Sequence, residues 1–187
     1  MFATAINNPV LLAAAGTART RAGGREPMDE ARFETFYRAT SGRLWSYLYR
    51  LTGDAAAADD LLQKAFFRFL RSNPAVASDE HMRRWLFRAA TNLAFDHFRE
   101  TKRERAREVA PPAAPSEGRE LLRHDMMKVF GELKPRERAL LWLAHVEEVD
   151  HEDIGDALGL KTKSVKVLLF RARKRLGELL TRKGLAP

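Results

Sequence analysis

The chain of 187 residues contains no cysteine, which excludes disulfide bonds, thiolate metal sites and cysteine nucleophiles and fits a reducing compartment. Long apolar runs are also missing, because no stretch approaches the roughly 18–20 apolar residues that a membrane-spanning helix needs. Sustained alternation of apolar and polar residues, which would indicate half-buried strands, is absent as well. We therefore expect an all-α protein that acts in the cytoplasm and does not insert into a membrane.

Acidic residues are fewer than basic ones, 25 against 33, and the formal net charge is +8. The excess lies in two segments: residues 81–107 hold 8 basic and 3 acidic residues, and residues 161–187 hold 9 and 1. Residues 108–160 between them are acidic in sum. Two separate basic segments favour two contacts with one polyanion over a uniformly charged surface.

The apolar periodicity predicts two helical domains. We expect residues 1–28 to form a disordered arm, with Met28 as the natural start, residues 1–27 as a gene-model artefact, and no signal peptide. Residues 29–107 show four amphipathic patterns, and Asp29 and Ser41 are predicted to cap the first two helices. Residues 108–118 are proline-rich and predict a linker. Residues 119–183 form the second domain, in which Pro135 opens a helix and one helix face is made by Leu122, Met126, Val129, Phe130 and Leu133.

Residues 151–170 have the pattern of a helix-turn-helix. Ile154 and Leu158 would face inward from its first helix, and the small Gly155 would lie where the two helices cross closely. Gly159 can take the left-handed conformation that ends a helix. The second helix is predicted to be capped by Thr162 or Ser164, with Val165 and Leu168 turned inward.

The second of these helices combines an apolar back with a basic front, as a helix in the DNA major groove requires. Its basic side chains would neutralise phosphates. An amphipathic helix with a solvated basic face is the alternative, but the turn glycine and the inward aliphatic residues favour DNA binding. Base edges would be within reach of Thr162, Lys163, Ser164, Lys166 and Val167.

Two helices of the first domain suggest other contacts. Residues 59–64 present acidic and polar side chains, which suit a protein partner unless they are a solvated face. Residues 83–103 mix arginine and lysine with aromatic residues, a combination that grips unpaired bases and their backbone. The alternative is that the aromatic residues belong to the core, which we expect for Trp85.

Three motifs in order resemble the sigma factors of RNA polymerase, in particular the extracytoplasmic-function group with two domains. They are the acidic segment Asp59–Phe66, the segment Trp85–Arg99, and the helix-turn-helix followed by Arg171-Ala172-Arg173. The chain departs from the family at Lys64, where an acidic residue is usual, and at Val167-Leu168, where Ser-Arg is usual.

The resemblance implies core RNA polymerase and promoter DNA as partners, and it allows for an anti-sigma factor. Polymerase would be bound by Asp59, Asp60 and Gln63. A base flipped from the non-template strand would enter the loop 72–79. The −10 element would be met by Arg88, Asn92, Asp96, Phe98, Arg99 and Arg103. The −35 element would be met by Thr162, Lys163, Ser164, Lys166, Arg171 and Arg173.

Two other classes of protein compete with this interpretation. A helix-turn-helix repressor or activator would bind DNA without polymerase, and its first domain would bind a ligand or a second copy. An enzyme could use His145, His151, Glu152 and Asp153 as a metal cluster, but neither a His-Glu-x-x-His spacing nor a glycine-rich phosphate loop is present. We expect no catalytic residue, no metal and no cofactor.

Overall fold

A computed structural model describes residues 28–72, 78–105 and 121–185, apart from the side chains of 105 and 121–125. These residues form seven α-helices and no strand. None of the described helices is both long enough and apolar enough to cross a bilayer. Residues 1–27 of the predicted arm and the predicted linker 108–118 lie outside the described residues, whereas Met28 is half-buried and packs against the core. The helices are α1 (Glu30–Thr52), α2 (Ala55–Ser72), α3 (Asp79–Arg105), α4 (Leu121–Gly131), α5 (Pro135–His145), α6 (His151–Leu158) and α7 (Thr162–Arg182).

Helix α1 is continuous, so the predicted break at Ser41 is wrong. The helix begins where the Asp29 carboxylate accepts a hydrogen bond from the Arg32 backbone N–H at 2.7 Å. It ends at Gly53, which has a φ of 76°. Ser41 is buried within the inward stripe of this helix, so packing against the neighbouring helices stabilises helical geometry at a residue that often begins a helix.

Helices α1, α2 and α3 enclose an aromatic core. The Phe36 and Phe69 rings stack with centroids 5.2 Å apart, and Trp85 packs against Phe69 at 5.6 Å, as expected for a core residue. On the other side of α1, the buried Tyr47 hydroxyl lies 2.8 Å from the Thr91 hydroxyl. Burial raises the pKa of Tyr47 well above its ordinary value, so this hydroxyl keeps its proton.

Helices α4 to α7 form the second unit around a smaller apolar cluster. Pro135 opens α5 as predicted, and the Glu137 carboxylate accepts a hydrogen bond from the Lys134 backbone N–H at 2.9 Å. Val129 and Leu133 are buried here, but Met126 is 44% exposed, so its predicted place on the inner face is wrong. The cluster contains residues of α5 and α7 together with Val129 and Leu133. Met126 precedes Val129 by three residues and does not belong to the cluster.

The two units are packed together, because α5 and α6 lie against α1 and α3 and their apolar residues join one core. The Tyr47 and Trp142 rings meet across this interface with centroids 6.4 Å apart. Arg43 forms an ion pair of 3.0 Å with Glu147, whose side chain is only 1% exposed. The two units therefore share an apolar core, and the buried ion pair adds a polar contact at the same interface.

Candidate nucleic-acid interface

The helix-turn-helix is built by local hydrogen bonds that place α7 across α6. The Asp150 carboxylate caps α6 by accepting hydrogen bonds from two backbone N–H groups at 3.0 and 2.9 Å. Gly159 ends α6 in the left-handed conformation, with a φ of 62°. The Leu160 N–H donates to the Gly155 carbonyl at 2.8 Å. A Cβ added at Gly155 would lie 2.9 Å from the Leu160 carbonyl oxygen, so the predicted close approach is confirmed.

Helix α7 buries one side and exposes its cations on the other. Val165, Leu169 and Ala172 are buried against α5 and α6. The predicted capping of α7 by Thr162 or Ser164 is wrong, because Lys161 precedes the helix and no side chain caps it. Among the residues that the structure describes, no ion pair reaches the exposed cations Lys163, Lys166, Arg171 and Lys174.

The remaining residues predicted to meet a −35 element differ in position. Thr162 is exposed in the first turn of α7, and Ser164 is half-buried. Arg173 is exposed, but its Nε donates a hydrogen bond to His145 Nε2 at 3.0 Å. Arg173 therefore lies beside α5, at the rim of an apolar groove formed with Phe130, Leu176 and Leu180, and is set apart from the four free cations.

The residues predicted to meet a −10 element lie on α3, and the structure brings only some of them together. Asp96, Arg99 and Arg103 line one shallow groove with Lys64 of α2, and Asp96 and Arg99 form an ion pair. Asn92 is exposed but does not line this groove. A groove rimmed by arginine and lysine can hold a phosphate backbone once the Asp96 partner is exchanged.

Phe98 and Arg88 lie in different surroundings. Phe98 is half-buried, and its ring meets that of Phe95 edge to face at 6.0 Å. Arg88 is already paired, because its Nη1 donates to Asp156 of α6 at 3.3 Å. One turn earlier, Arg84 donates to Asp153 of α6 at 3.1 Å. Arg84 also binds Glu80, and this hydrogen bond holds the pKa of the Glu80 carboxyl below its ordinary value.

The residues predicted to bind polymerase are exposed on α2. The Asp59 carboxylate accepts a hydrogen bond from the Trp45 indole N–H at 2.7 Å. Asp60 pairs with Lys64 at 2.6 Å. The lysine that departs from the family pattern thus neutralises the Asp60 carboxylate, whereas Asp59 and Gln63 form no ion pair with another described residue.

Sequence reasoning did not single out three features of this surface. Phe170 is 65% exposed on α7, which its position on the helical wheel could have indicated. The pairing of Arg43 with Glu147 and that of Arg84 with Asp153 join distant parts of the chain and leave no local signal. The residues 73–77 of the loop predicted to receive a flipped base lie outside the described part of the chain. Within that described part, no group of three or more His, Asp or Glu side chains is placed to hold a metal ion.

Comparison with known families supplies a second, independent finding. Residues 36–104 match the family Sigma-70 region 2, a range that begins within α1 and reaches nearly the end of α3. Residues 123–176 match the family Sigma-70, region 4, which covers the helix-turn-helix.

Individual relatives agree with these matches. The chain is 31% identical over 159 residues to the RNA polymerase sigma-E factor of Streptomyces avermitilis, with 82% of this chain and 87% of the relative covered. It is 30% identical over 186 residues to the ECF RNA polymerase sigma factor SigG of Mycobacterium tuberculosis, with 82% of this chain and 50% of the relative covered. The chain thus spans about half the length of SigG.

A solved structure has the same fold. The sigma factor RpoE of Bartonella quintana, in complex with the anti-sigma factor NepR, aligns with a TM-score of 0.67 at 21% identity. The alignment covers 80% of this chain and 96% of that one.

Proposed function

Because the chain belongs to the extracytoplasmic-function group of the sigma-70 family of RNA polymerase sigma factors, we propose that it binds core RNA polymerase and directs transcription initiation at promoters. In this proposal α7 recognises the −35 element as duplex, and α3 meets the −10 element and promotes strand opening. The polymerase carries out nucleotide addition, and the chain contributes sequence selection in the cytoplasm, where the polymerase works.

The observation that carries the proposal is the outward face of α7. A helix-turn-helix with correct turn geometry presents Lys163, Lys166 and Arg171 to solvent, without ion pairs to the described residues. Cations held on a rigid helix and left without carboxylate partners suit the phosphates on either side of a major groove. Duplex DNA is therefore the ligand that this face fits best.

Helix α3 would serve the opened strand. Arg99 and Arg103 line the groove beside α2, and the half-buried Phe98 lies on the same stretch of helix. Arginines can hold the backbone of a single strand while an aromatic ring stacks on an unpaired base. Binding energy from these contacts would offset the few kcal/mol needed to unstack and extrude a base.

Polymerase would dock on the exposed patch of α2. Asp59 is held in place by the Trp45 indole, and Gln63 is accessible beside it. Asp60 would reach a basic partner only by exchanging Lys64, to which it is paired. We therefore assign the main polar contacts of this patch to Asp59 and Gln63, with Asp60 in a weaker role.

A regulator of the anti-sigma class is part of the proposal. The related fold of RpoE was solved with the anti-sigma factor NepR. In this chain the apolar groove between α5 and α7, rimmed by Arg173 and His145, and the exposed Val146 beside it leave room for a partner helix.

Run-off transcription tests the proposal. Purified core polymerase would be combined with the chain and with genomic fragments, including the promoter of the chain's own gene. We expect transcripts with defined starts, and Lys166→Glu should reduce them by at least tenfold while co-purification with polymerase is unchanged. Lys128→Glu, on the exposed side of α4, makes the same change of charge away from α7 and should retain activity.

Two outcomes would contradict the proposal. If no site-directed transcripts appear, the chain is not a sigma factor in this assay. If a mobility-shift assay gives strong, specific DNA binding by the chain alone that polymerase does not improve, the chain acts as a self-sufficient repressor or activator.

A further inference from the structure

The most outward part of α7 is apolar. The buried residues Val165, Leu169 and Ala172 define the inward side of the helix, and at 100° per residue Val167 and Phe170 project from the opposite side. Val167 is 50% exposed and Phe170 is 65% exposed, the two largest values among the large apolar residues that the structure describes. Both lie in the N-terminal half of α7, which is the second helix of the helix-turn-helix.

Exposed apolar side chains at this place need a partner of a particular kind. Lys163 and Lys174 continue the same outward line on either side of the apolar pair, and Lys166 and Arg171 flank it. A membrane interior or an apolar protein surface would have to desolvate these cations, at a high cost. A nucleic acid neutralises them with phosphates and leaves the apolar pair facing the base edges.

The major groove of DNA offers one apolar group at its floor, the C5-methyl of thymine. Residues 167 and 170 are separated by about 4.5 Å along the helix axis. Neighbouring base pairs are separated by about 3.4 Å. The two side chains can therefore reach methyl groups on neighbouring base pairs.

We propose that Val167 and Phe170 are specificity-determining residues that contact thymine C5-methyl groups in the duplex bound by α7. The inference rests on the proposed function, in which α7 enters the major groove of the −35 element.

Replacement of thymine by deoxyuridine tests the proposal, because it removes the methyl group and keeps every hydrogen-bonding atom. The chain assembled with core polymerase would first select duplexes from a library randomised across the −35 region. Each thymine of the selected sequence would then be replaced singly. We expect one or two replacements to weaken binding by about fourfold each, the effect of about 0.8 kcal/mol for one buried methyl group.

The variants decide which side chain is responsible. Val167→Ala should lose discrimination between thymine and deoxyuridine at one position, and Phe170→Ala at the neighbouring one. Both side chains are exposed, so the melting temperature should not change. Phe67→Ala removes an apolar side chain that is 45% exposed on α2, and it should leave the discrimination as it is in the wild type.

The outcomes separate this inference from the proposed function. If a sequence is selected but contains no thymine, or if deoxyuridine has no effect at any position, the methyl contact is overturned and the sigma-factor assignment stands. The same holds if both alanine variants discriminate as the wild type does. If no sequence is selected and Lys166→Glu binds as well as the wild type, the proposed function fails and this inference fails with it.

Discussion

Helices α3 and α7 carry the two basic segments of the chain, but their cations meet different surroundings. On α3, Arg84 and Arg88 are paired with Asp153 and Asp156 of the neighbouring unit. On α7, the outward lysines have no such partner among the described residues. Equal basicity in the sequence therefore does not mean equal availability, because the acidic residues of α6 pair with Arg84 and Arg88 of α3 and with none of the outward lysines of α7 in the described part of the chain.

The difference has a consequence for DNA binding by the proposed sigma factor. A −35 duplex can approach α7 without displacing any described carboxylate, whereas a −10 strand that uses Arg88 must displace Asp156. We expect the two units to separate when α3 is in use.

The largest effect on the packing of the two units is expected from Arg43→Ala. The substitution leaves the Glu147 carboxylate at the interface without its ion-pair partner, although that side chain is only 1% exposed. Because an unpaired buried charge is costly and Arg43 is itself half-exposed, we expect a loss of about 1–3 kcal/mol in the free energy of unfolding, measured by urea denaturation.

Arg38→Ala is the matched control, because Arg38 pairs with Glu34 on the exposed side of the same helix. Its effect should stay below about 0.5 kcal/mol. Adding Glu147→Gln to Arg43→Ala should recover part of the loss. Equal effects of the two arginine substitutions would show that the buried pair does not hold the interface.

Gly155→Ala should come next, because its Cβ would press against the Leu160 carbonyl at 2.9 Å and shift α7 relative to α6. We expect a loss of about 1–2 kcal/mol in stability and a reduced response to the −35 sequence in transcription. Gly177→Ala, with nothing within 4 Å of the added Cβ, should raise stability by up to about 1 kcal/mol. Wild-type stability of Gly155→Ala would contradict the close approach.

A smaller effect is expected from Asp153→Asn combined with Asp156→Asn, which frees Arg88 and removes one carboxylate partner of Arg84, while Glu80 stays paired with Arg84. The chain alone should bind DNA more tightly, and the salt dependence of log K should steepen by about 0.7–0.9, as for one added phosphate contact. Glu148→Gln with Glu152→Gln makes the same change of net charge at two exposed carboxylates that form no ion pair with another residue of the described part of the chain. If both double variants show the same salt dependence of log K, the loss of negative charge alone explains the tighter DNA binding.

The smallest effect on stability is expected from a substitution of Glu80, whose partner Arg84 also pairs with Asp153 of the second unit. Its pKa is lowered, first by the hydrogen bond from Arg84 and then by the charge of that group. The contribution to stability is therefore present above the ordinary pKa of a glutamate and is lost as the pH falls through the lowered value. Glu80→Gln should differ slightly from the wild type in melting temperature at neutral pH and not at all in strong acid; a constant difference would exclude titration of Glu80 as the cause.

Local signals in the sequence predicted several of the helix boundaries. Asp29 and Pro135 begin helices and Gly159 ends one, as predicted, because caps depend on a few adjacent backbone groups. The same reasoning failed at Ser41, where tertiary packing overrides a local preference for starting a helix.

The candidate site was predictable only in part. The basic face of α7 follows from helical spacing, and the sequence motifs predict which residues of α2 and α3 lie near a ligand. Whether each residue is available depends on partners far away in the chain. Arg43 and Glu147 are 104 positions apart, and no periodic pattern connects them. The pairing of Arg88 with Asp156 is of the same kind.

The contact of Trp142 with Tyr47 gives the molecule an optical signal of its own conformation. Trp45 and Trp85 lie within the first unit, whereas Trp142 is half-buried where the two units meet. With Trp45→Phe and Trp85→Phe, the emission would come from a single indole, and its wavelength would report how far that boundary is hydrated. A stopped-flow mixing experiment with duplex DNA, which contains no tryptophan, could then time the parting of the units without any attached dye.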